Sequence, residues 1–547
     1  MNKKIISDIS RHPLIFIILM ALGLRVITWY NTCIVNPDAI VYISQAKAIY
    51  YHQYSAILGT LSFFSIYSLC IALLFPLFSN WIVTAVFISI CFGILTLIPL
   101  YFFVREYMEE RYALLTILII STIPVFVSRS VDIIKDPMYW FFLAMALSLS
   151  VRRLTGKQRG WAVLPLIFIL FFLASIVRVE ASVFFLVTLV FMVVCTKRLK
   201  TLLWLAIPLG IVLIFYLGDI KLFGISINKF CRFDYILTFV SGLPCKYREL
   251  RANIASLASH QDLTMRFFLL DARRDIWLIG LEKFFNSFLE GVAYLPGIIC
   301  MVGIASLTRL NRDKKIIYCL ILMASGFGLL YFYTLYTWIL SYRYVILFII
   351  PASVFMGLGL KKCSIYMKQR WGVSEIKTLT VLLAVILLVT LAKDFKPRRT
   401  NKIIYKKAGM LIALHKKNSQ WVVVASNQRN QGLRLISFYA NLNYPGVYGR
   451  GAKKLETIDG SSLQKLSSLL NKKNVNYYIL TLPRQGDQKM LKKLLAAHLC
   501  IMSWETANKG MSYLIKWAPM YKSEGTNNQS QYEQWGKDEK ILAAVGS

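Results

Sequence analysis

Apolar runs long enough to cross a membrane recur along this chain, and that recurrence constrains its fold more than any other feature. A hydrocarbon core about 30 Å thick takes roughly 20 helical residues, and such runs begin near Leu14, Trp81, Tyr112, Pro137, Trp161, Ala181, Thr201, Phe288, Ile316, Val345 and Leu379. With 57% hydrophobic and 16% charged residues in a length of 547, the chain is too apolar for a soluble protein, which carries about 25% charged residues. An integral membrane protein with about eleven spans is expected. The formal charge of +36 does not argue for nucleic-acid binding, because Lys and Arg fall in short clusters between apolar runs and not on one basic face.

Those clusters orient the chain. Lys3, Lys4 and Arg11 precede the first span, and Arg105 and Arg111 follow the second. Arg152, Arg153, Lys157 and Arg159 follow the fourth. The pattern repeats at residues 197–200, 309–315 and 361–370. Every second connection is basic, which predicts a cytoplasmic N-terminus. The alternate connections then face outward and hold carboxylates: Asp38, Asp132, Asp136 and Glu180. A basic N-terminal start without a small-residue cleavage site reads as a retained first span.

Two outward stretches are too long for turns. Residues 31–80 hold an amphipathic segment (Val41 to Tyr51) and an apolar run (Ile57 to Phe78). Counting that run as a span would reverse every later loop, so both segments are expected along the outer interface. Residues 218–287 are mixed. After the last span the pattern changes to alternation: strands at Trp421 to Ala425, Tyr477 to Thr481 and Met511 to Trp517, with helices at Leu463 to Leu470 and Met490 to His498. The expected organisation is a transmembrane domain over 1–393, an exterior α/β domain over 394–521, and a disordered tail over 522–547. Basic residues 393–407 run against this assignment, but long domains translocate regardless of charge. Of the ten Cys, Cys70, Cys91, Cys300 and Cys319 lie in apolar runs as core residues, and Cys231 and Cys245 share one outer loop, paired or free.

The first outer loop reads Asn36-Pro37-Asp38-Ala39-Ile40-Val41-Tyr42. Ser130-Val-Asp132-Ile-Ile-Lys135-Asp136-Pro137 leads into the fourth span, and Val177-Arg178-Val179-Glu180 forms the turn before the sixth. Further on stand Tyr294-Leu-Pro-Gly297, Ser341-Tyr-Arg343-Tyr344 with Pro351, Ala408 to Ile412, and Phe438-Tyr-Ala440. In order and sidedness this set resembles the multi-spanning GT-C glycosyltransferases. The likeness is to the protein O-mannosyltransferase group and its bacterial relatives, including the lipid A aminoarabinose transferases. The resemblance implies an inner-membrane enzyme with a periplasmic C-terminal domain. Such an enzyme moves a sugar from a polyprenyl-phosphate donor to an envelope lipid, glycan or protein, with inversion.

On that reading Asp38 and Asp136 are the catalytic candidates, Arg178 and Arg343 hold the donor phosphate, and Tyr42, Glu180 and Tyr344 support them. A carboxylate at the membrane surface suits general-base work, and a phosphate leaving group needs forked cations. Blander roles fit the same residues: helix starts for Asp38 and Asp136, interface anchors for Arg178 and Arg343, and an ion-pair partner for Glu180. The aromatic run from Tyr331 to Tyr342 suits an interfacial belt or a groove for a lipid chain. Where the family often has Asp-Glu, Ala39 follows Asp38, and the His residues are dispersed. No essential metal site is therefore expected, although a divalent ion stays admissible, and the lipid-linked sugar is the only other small molecule implied. The alternative is a transporter or flippase for a lipid-linked saccharide. Transporters place charges at the midplane of their spans, often in repeated halves; here the spans are nearly free of charge apart from Arg25, and there is no internal repeat.

Overall fold

The computed structural model describes residues 12–61, 63–157, 160, 162–196, 221–222, 225–226, 233–307, 313–416, 420–427, 431–448, 451–454, 470, 472, 474–482, 500–505 and 511–516. In chain order the helices begin with α1 (Pro13–Tyr30), α2 (Pro37–Tyr50), α3 (Tyr54–Thr60), α4 (Ile66–Phe78), α5 (Trp81–Leu95), α6 (Leu97–Arg105) and α7 (Glu110–Thr122). They continue with α8 (Pro124–Ser130), α9 (Asp136–Leu154), α10 (Val163–Val177), α11 (Ala181–Thr196), α12 (Phe233–Ala258), α13 (Leu263–Arg274) and α14 (Ile276–Gly291). The last are α15 (Leu295–Ala305), α16 (Lys314–Thr337), α17 (Tyr342–Trp371), α18 (Glu375–Asp394), α19 (Ile403–His415) and α20 (Gln431–Ala440). A two-residue hairpin, β1 (Lys221–Leu222) with β2 (Ile225–Ser226), precedes β3 (Val424–Ser426), β4 (Ala452–Lys454), β5 (Tyr477–Leu482), β6 (Cys500–Glu505) and β7 (Met511–Lys516). Two compact units result: residues 1–31 with 61–397, and residues 32–60 with 398–547.

In the first unit, each run expected to span is helical except that near Thr201, which lies outside the described residues. By length and apolarity, five described helices can cross a membrane: α1, the continuous Trp81–Arg105, α16, α17 and α18. The number is up to seven if two bent pairs each count as one span, α7 with α8 at 60° and α14 with α15 at 116°. Three further apolar helices, α4, α10 and α11, are shorter. Side chains such as Leu388, exposed at 73%, face outward, as lipid-facing positions do.

The breaks have local causes. Pro124 lacks an N–H and cannot continue the helix; beside the break the buried Arg25 of α1 donates from Nη1 to Ser121 O at 3.4 Å and to Ala21 O at 3.0 Å. The charge noticed within the first span is thus tied to a kink. At the second break Tyr294 has φ 61° and ψ −66°, and the Leu295 N–H reaches Ala293 O at 2.8 Å. This is the strained form of the γ-turn, and it reverses the chain before Pro296. The returning α15 crosses α17 at two glycines: a Cβ on Gly303 would overlap the Phe355 carbonyl, and one on Gly359 the Ile299 carbonyl. Backbones that close leave no room for a methyl group. Gly359→Ala is expected to cost about 1–3 kcal/mol, seen as a lower unfolding midpoint. Gly328→Ala, where nothing lies within 4 Å, should leave the midpoint in place.

In the second unit β3 pairs in parallel with β4 and β5, and β7 runs antiparallel to β5 and β6, giving the order β4-β3-β5-β7-β6. Helices α19 and α20 cover it through Ala408, Ile412, Leu433, Ile436 and Ala440 against Val424, Ile479 and Leu514. The three expected strands are present, within one to three residues at their ends. The expected helices at 463–470 and 490–498 fall mainly on residues outside the description, as do Cys231 and the tail; Cys245 is a free, exposed thiol.

Residues 32–60, expected along the outer interface, form one compact unit with the α/β part. Val35 N–H donates to Tyr439 OH at 3.2 Å, Arg399 Nη1 to Ile34 O at 3.1 Å, and Val447 N–H to Gln53 Oε1 at 2.7 Å. The apolar face of α2, with Ala39, Ile43 and Ala46 fully buried, has a protein partner. Helical periodicity reports that a face needs covering and not what covers it.

Candidate functional site

The site residues of the first unit gather where three chain segments meet. Pro137 opens α9, which suits a residue without an N–H, and sets Asp136 in the first turn, where the helix dipole favours a carboxylate. Between α10 and α11 the chain turns within three residues. Arg178 ends α10 in extended conformation (φ −143°, ψ 120°), and Glu180 stands two residues on. Tyr344 and Arg343 lie in the first turn of α17.

Arg178 joins them. Its Nη1 donates to Asp136 Oδ1 at 2.8 Å and its Nη2 to Glu180 Oε1 at 2.6 Å, with Nε 3.4 Å from Glu180 Oε2. Arg178 is 6% exposed and Asp136 3%. Burial alone would raise the Glu180 pKa, but the Arg178 charge and hydrogen bonds outweigh it and hold the carboxyl well below its usual range. The guanidinium carbon stands 4.6 Å from the Tyr344 ring centre and 5.9 Å from that of Tyr139. On the Tyr344 ring Arg343 also packs, at 5.0 Å, and its Nη2 donates to the Tyr344 hydroxyl at 3.2 Å. Asp136 Oδ2 takes no hydrogen bond from the described residues. The cluster therefore holds a buried carboxylate bonded by Arg178 at one oxygen, beside an arginine–tyrosine stack.

Four of the residues singled out in the sequence thus meet at Arg178, namely Asp136, Arg178, Glu180 and Tyr344, and Arg343 joins through Tyr344. Arg178, expected on a phosphate, has its fork on two carboxylates. Asp38 and Tyr42 belong to the second unit, in the first two turns of α2. Asn36 is the residue that precedes the helix, so Asp38 lies inside its first turn; it is half-buried, and Tyr42 is buried. Sequence reading missed Arg129, which pairs with the buried Asp132 at 2.9 Å, and Tyr139. The spacing of three residues from Arg129 to Asp132 was a visible signal; Tyr333, whose hydroxyl is 3.5 Å from that of Tyr344, belongs to the aromatic run noted in the sequence. Among the described residues no group of three or more His, Cys, Asp or Glu is placed to hold a metal.

Over residues 65–217 the sequence matches the family model described as dolichyl-phosphate-mannose-protein mannosyltransferase. That stretch holds Asp132, Asp136, Arg178 and Glu180, and leaves Asp38 and Arg343 outside. No curated protein sequence matches the chain. Among solved structures, ArnT from Cupriavidus metallidurans in the apo state is similar at a TM-score of 0.54 and 10% identity, over 92% of this chain and 98% of that one. The same protein bound to undecaprenyl phosphate gives 0.53 and 11%, over 91% and 97%. The Archaeoglobus fulgidus oligosaccharyltransferase in complex with Zn and sulfate gives 0.53 and 12%, over 91% and 72%. The fold defines the class: a multi-spanning α-helical membrane protein with a C-terminal α/β unit, similar in fold to ArnT. The resemblance read from the ordered motifs is borne out in that fold and in the mannosyltransferase model over residues 65–217.

Proposed function

We propose that this chain is a membrane glycosyltransferase that moves a sugar from a polyprenyl-phosphate donor to an envelope lipid, glycan or protein at the outer face of a bacterial inner membrane. Its N-terminus would be cytoplasmic and its α/β unit periplasmic. The observation that carries the reading is the buried Asp136–Arg178–Glu180 cluster, built at helix ends inside the stretch matched by the mannosyltransferase model. A cluster at span ends suits surface chemistry on a lipid headgroup, whereas a transporter concentrates its charges at the midplane.

In the proposed reaction an acceptor oxygen bonds to the anomeric carbon as the bond from that carbon to the phosphate oxygen breaks. The configuration inverts in the one displacement. The acceptor proton passes to a carboxylate, for which Asp38 is the candidate on the motif resemblance. The electron pair leaves with the phosphate, which becomes a monoester dianion and gains from a fixed cation. Arg343, oriented by the Tyr344 hydroxyl, is assigned that role. Arg178 and Asp136 are assigned to organising the site, since their charges already meet each other.

The test is transfer by the purified protein in nanodiscs from a labelled undecaprenyl-phosphate sugar to a panel of envelope acceptors, with polyprenyl phosphate released in equal amount. Movement of the intact lipid-linked sugar between leaflets without such release would overturn the reading. Arg343→Lys keeps a charge but loses the forked geometry, so donor use should weaken by about 1–3 kcal/mol with every acceptor. Unchanged transfer would return Arg343 to an interface anchor.

A further inference from the structure

Helix α2 carries a second feature outside the proposed chemistry. Lys47, nine residues beyond Asp38 in the same helix, is 4% exposed, and its Nζ lies 3.1 Å from Asn441 O and 3.1 Å from Leu442 O, in the turn that follows α20. A buried lysine ordinarily meets a carboxylate. Here the described partners are two carbonyls, and the charged neighbour is another cation: Lys416, at the end of α19, sits 3.4 Å from Asn441 Oδ1 and 3.0 Å from Gln420 O.

Other titratable groups lie on the same helix or at its end, namely Asp38, Tyr42, Tyr50 and Tyr51, and on α19, where Tyr405 and Lys406 are half-buried. Tyr439 on α20 takes the Val35 N–H, and Arg434 on α20 is exposed. His415 lies against Leu411 O, Tyr444 stacks edge-on with Trp421, and His52 and Tyr54 bond to each other. A neutral amine has two N–H donors, the number of carbonyls offered, whereas an ammonium brings a third donor and an uncompensated charge.

We propose that Lys47 is a proton-operated latch: as a neutral amine it ties α2, and with it Asp38, to the turn after α20, and a proton taken up from solvent on its nitrogen loosens that helix. Burial first, and then the Lys416 charge, push the Lys47 pKa down to about 7 from an ordinary 10.5. The sign follows from linkage. The undocked segment binds the proton more tightly, so docking is tightest above 10.5, weakens as pH falls towards 7, and changes no further below it. The latch stands independently of the glycosyltransferase reading; only its consequence for Asp38 rests on that reading.

Hydrogen exchange of the full chain in nanodiscs, as protection factors corrected for intrinsic rates, tests it. For amides of residues 41–51 in the wild type, protection should rise by up to about tenfold per pH unit between 7 and 9 and stay level between 5.5 and 6.5. Lys47→Met should show no such slope, and Lys47→Arg should be poorly protected throughout. A level wild-type profile, or a Lys47→Met variant that keeps the wild-type slope, overturns the latch. The Met variant decides alone if the Arg variant does not fold. A titrating latch in a protein without sugar transfer would sink the proposed function and leave the latch standing.

Discussion

Arg178→Ala should destabilise the protein by about 3–5 kcal/mol, because it removes the cation that both carboxylates bond and leaves the buried Asp136 side chain without a hydrogen-bond donor among the described residues. Asp136 is 3% exposed, and its one hydrogen-bonded oxygen is held by Arg178 Nη1 at 2.8 Å. Glu180 loses both its contacts with the fork. Adding Asp136→Asn to Arg178→Ala should recover part of the loss, since a neutral amide no longer carries the unpaired charge. Unfolding of the reconstituted protein reads both effects, and a midpoint unmoved by Arg178→Ala would mean the cluster does not hold the segments together. The pH dependence has a definite sign. The Glu180 carboxyl is held at about 2, below its ordinary 4.5, so its contribution is present above 4.5 and drains away as pH falls towards 2. In Arg178→Ala that acid-side loss should vanish.

Asp38→Asn should reduce transfer by roughly 10²–10⁴-fold while leaving the protein folded, the scale of general-base assistance. The fold should tolerate the change because Asp38 is half-buried in the first turn of α2, where loss of a carboxylate costs about 0.3–1 kcal/mol of helix-dipole stabilisation. Wild-type turnover by a purified, folded Asp38→Asn protein would reduce this residue to a helix-start carboxylate. A loss confined to acceptor affinity, with kcat intact, would place it in acceptor binding and not in proton transfer.

Much of the helical part was legible because membrane spans are the one element whose length and composition the solvent dictates. The runs from Trp81, Ile316, Val345 and Leu379 became helices at or near their expected starts. Three of the five strands of the α/β unit were legible too, since β5 and β7 have apolar centres. β4 and β6 were not. β4 is Ala452-Lys453-Lys454, an edge strand whose lysines discourage further pairing, and β6, the opposite edge, carries an irregularity between Cys500 and Met502. Edges are not buried on both sides, so they lack the pattern that identifies a strand.

The local chemistry of this protein was determined by sequence alone: a carboxylate before Pro137, an Arg-x-Glu turn at 178–180, a Tyr-Arg-Tyr start to α17, and the apolar runs that make them helix ends. Each is a short-range property of residue type, solvent and helix geometry. Their meeting was decided by the tertiary structure. Asp136 and Arg178 are 42 residues apart, and nothing in either motif says that the guanidinium will hold a carboxylate and not a phosphate. The partner of α2 was likewise undecided, because burial of an apolar face is indifferent to which apolar surface covers it. Hydrogen bonds are not indifferent: Lys47, Gln53 and the backbone at Ile34 and Val35 find specific partners in residues 399–447, and those directional contacts place the helix that bears Asp38.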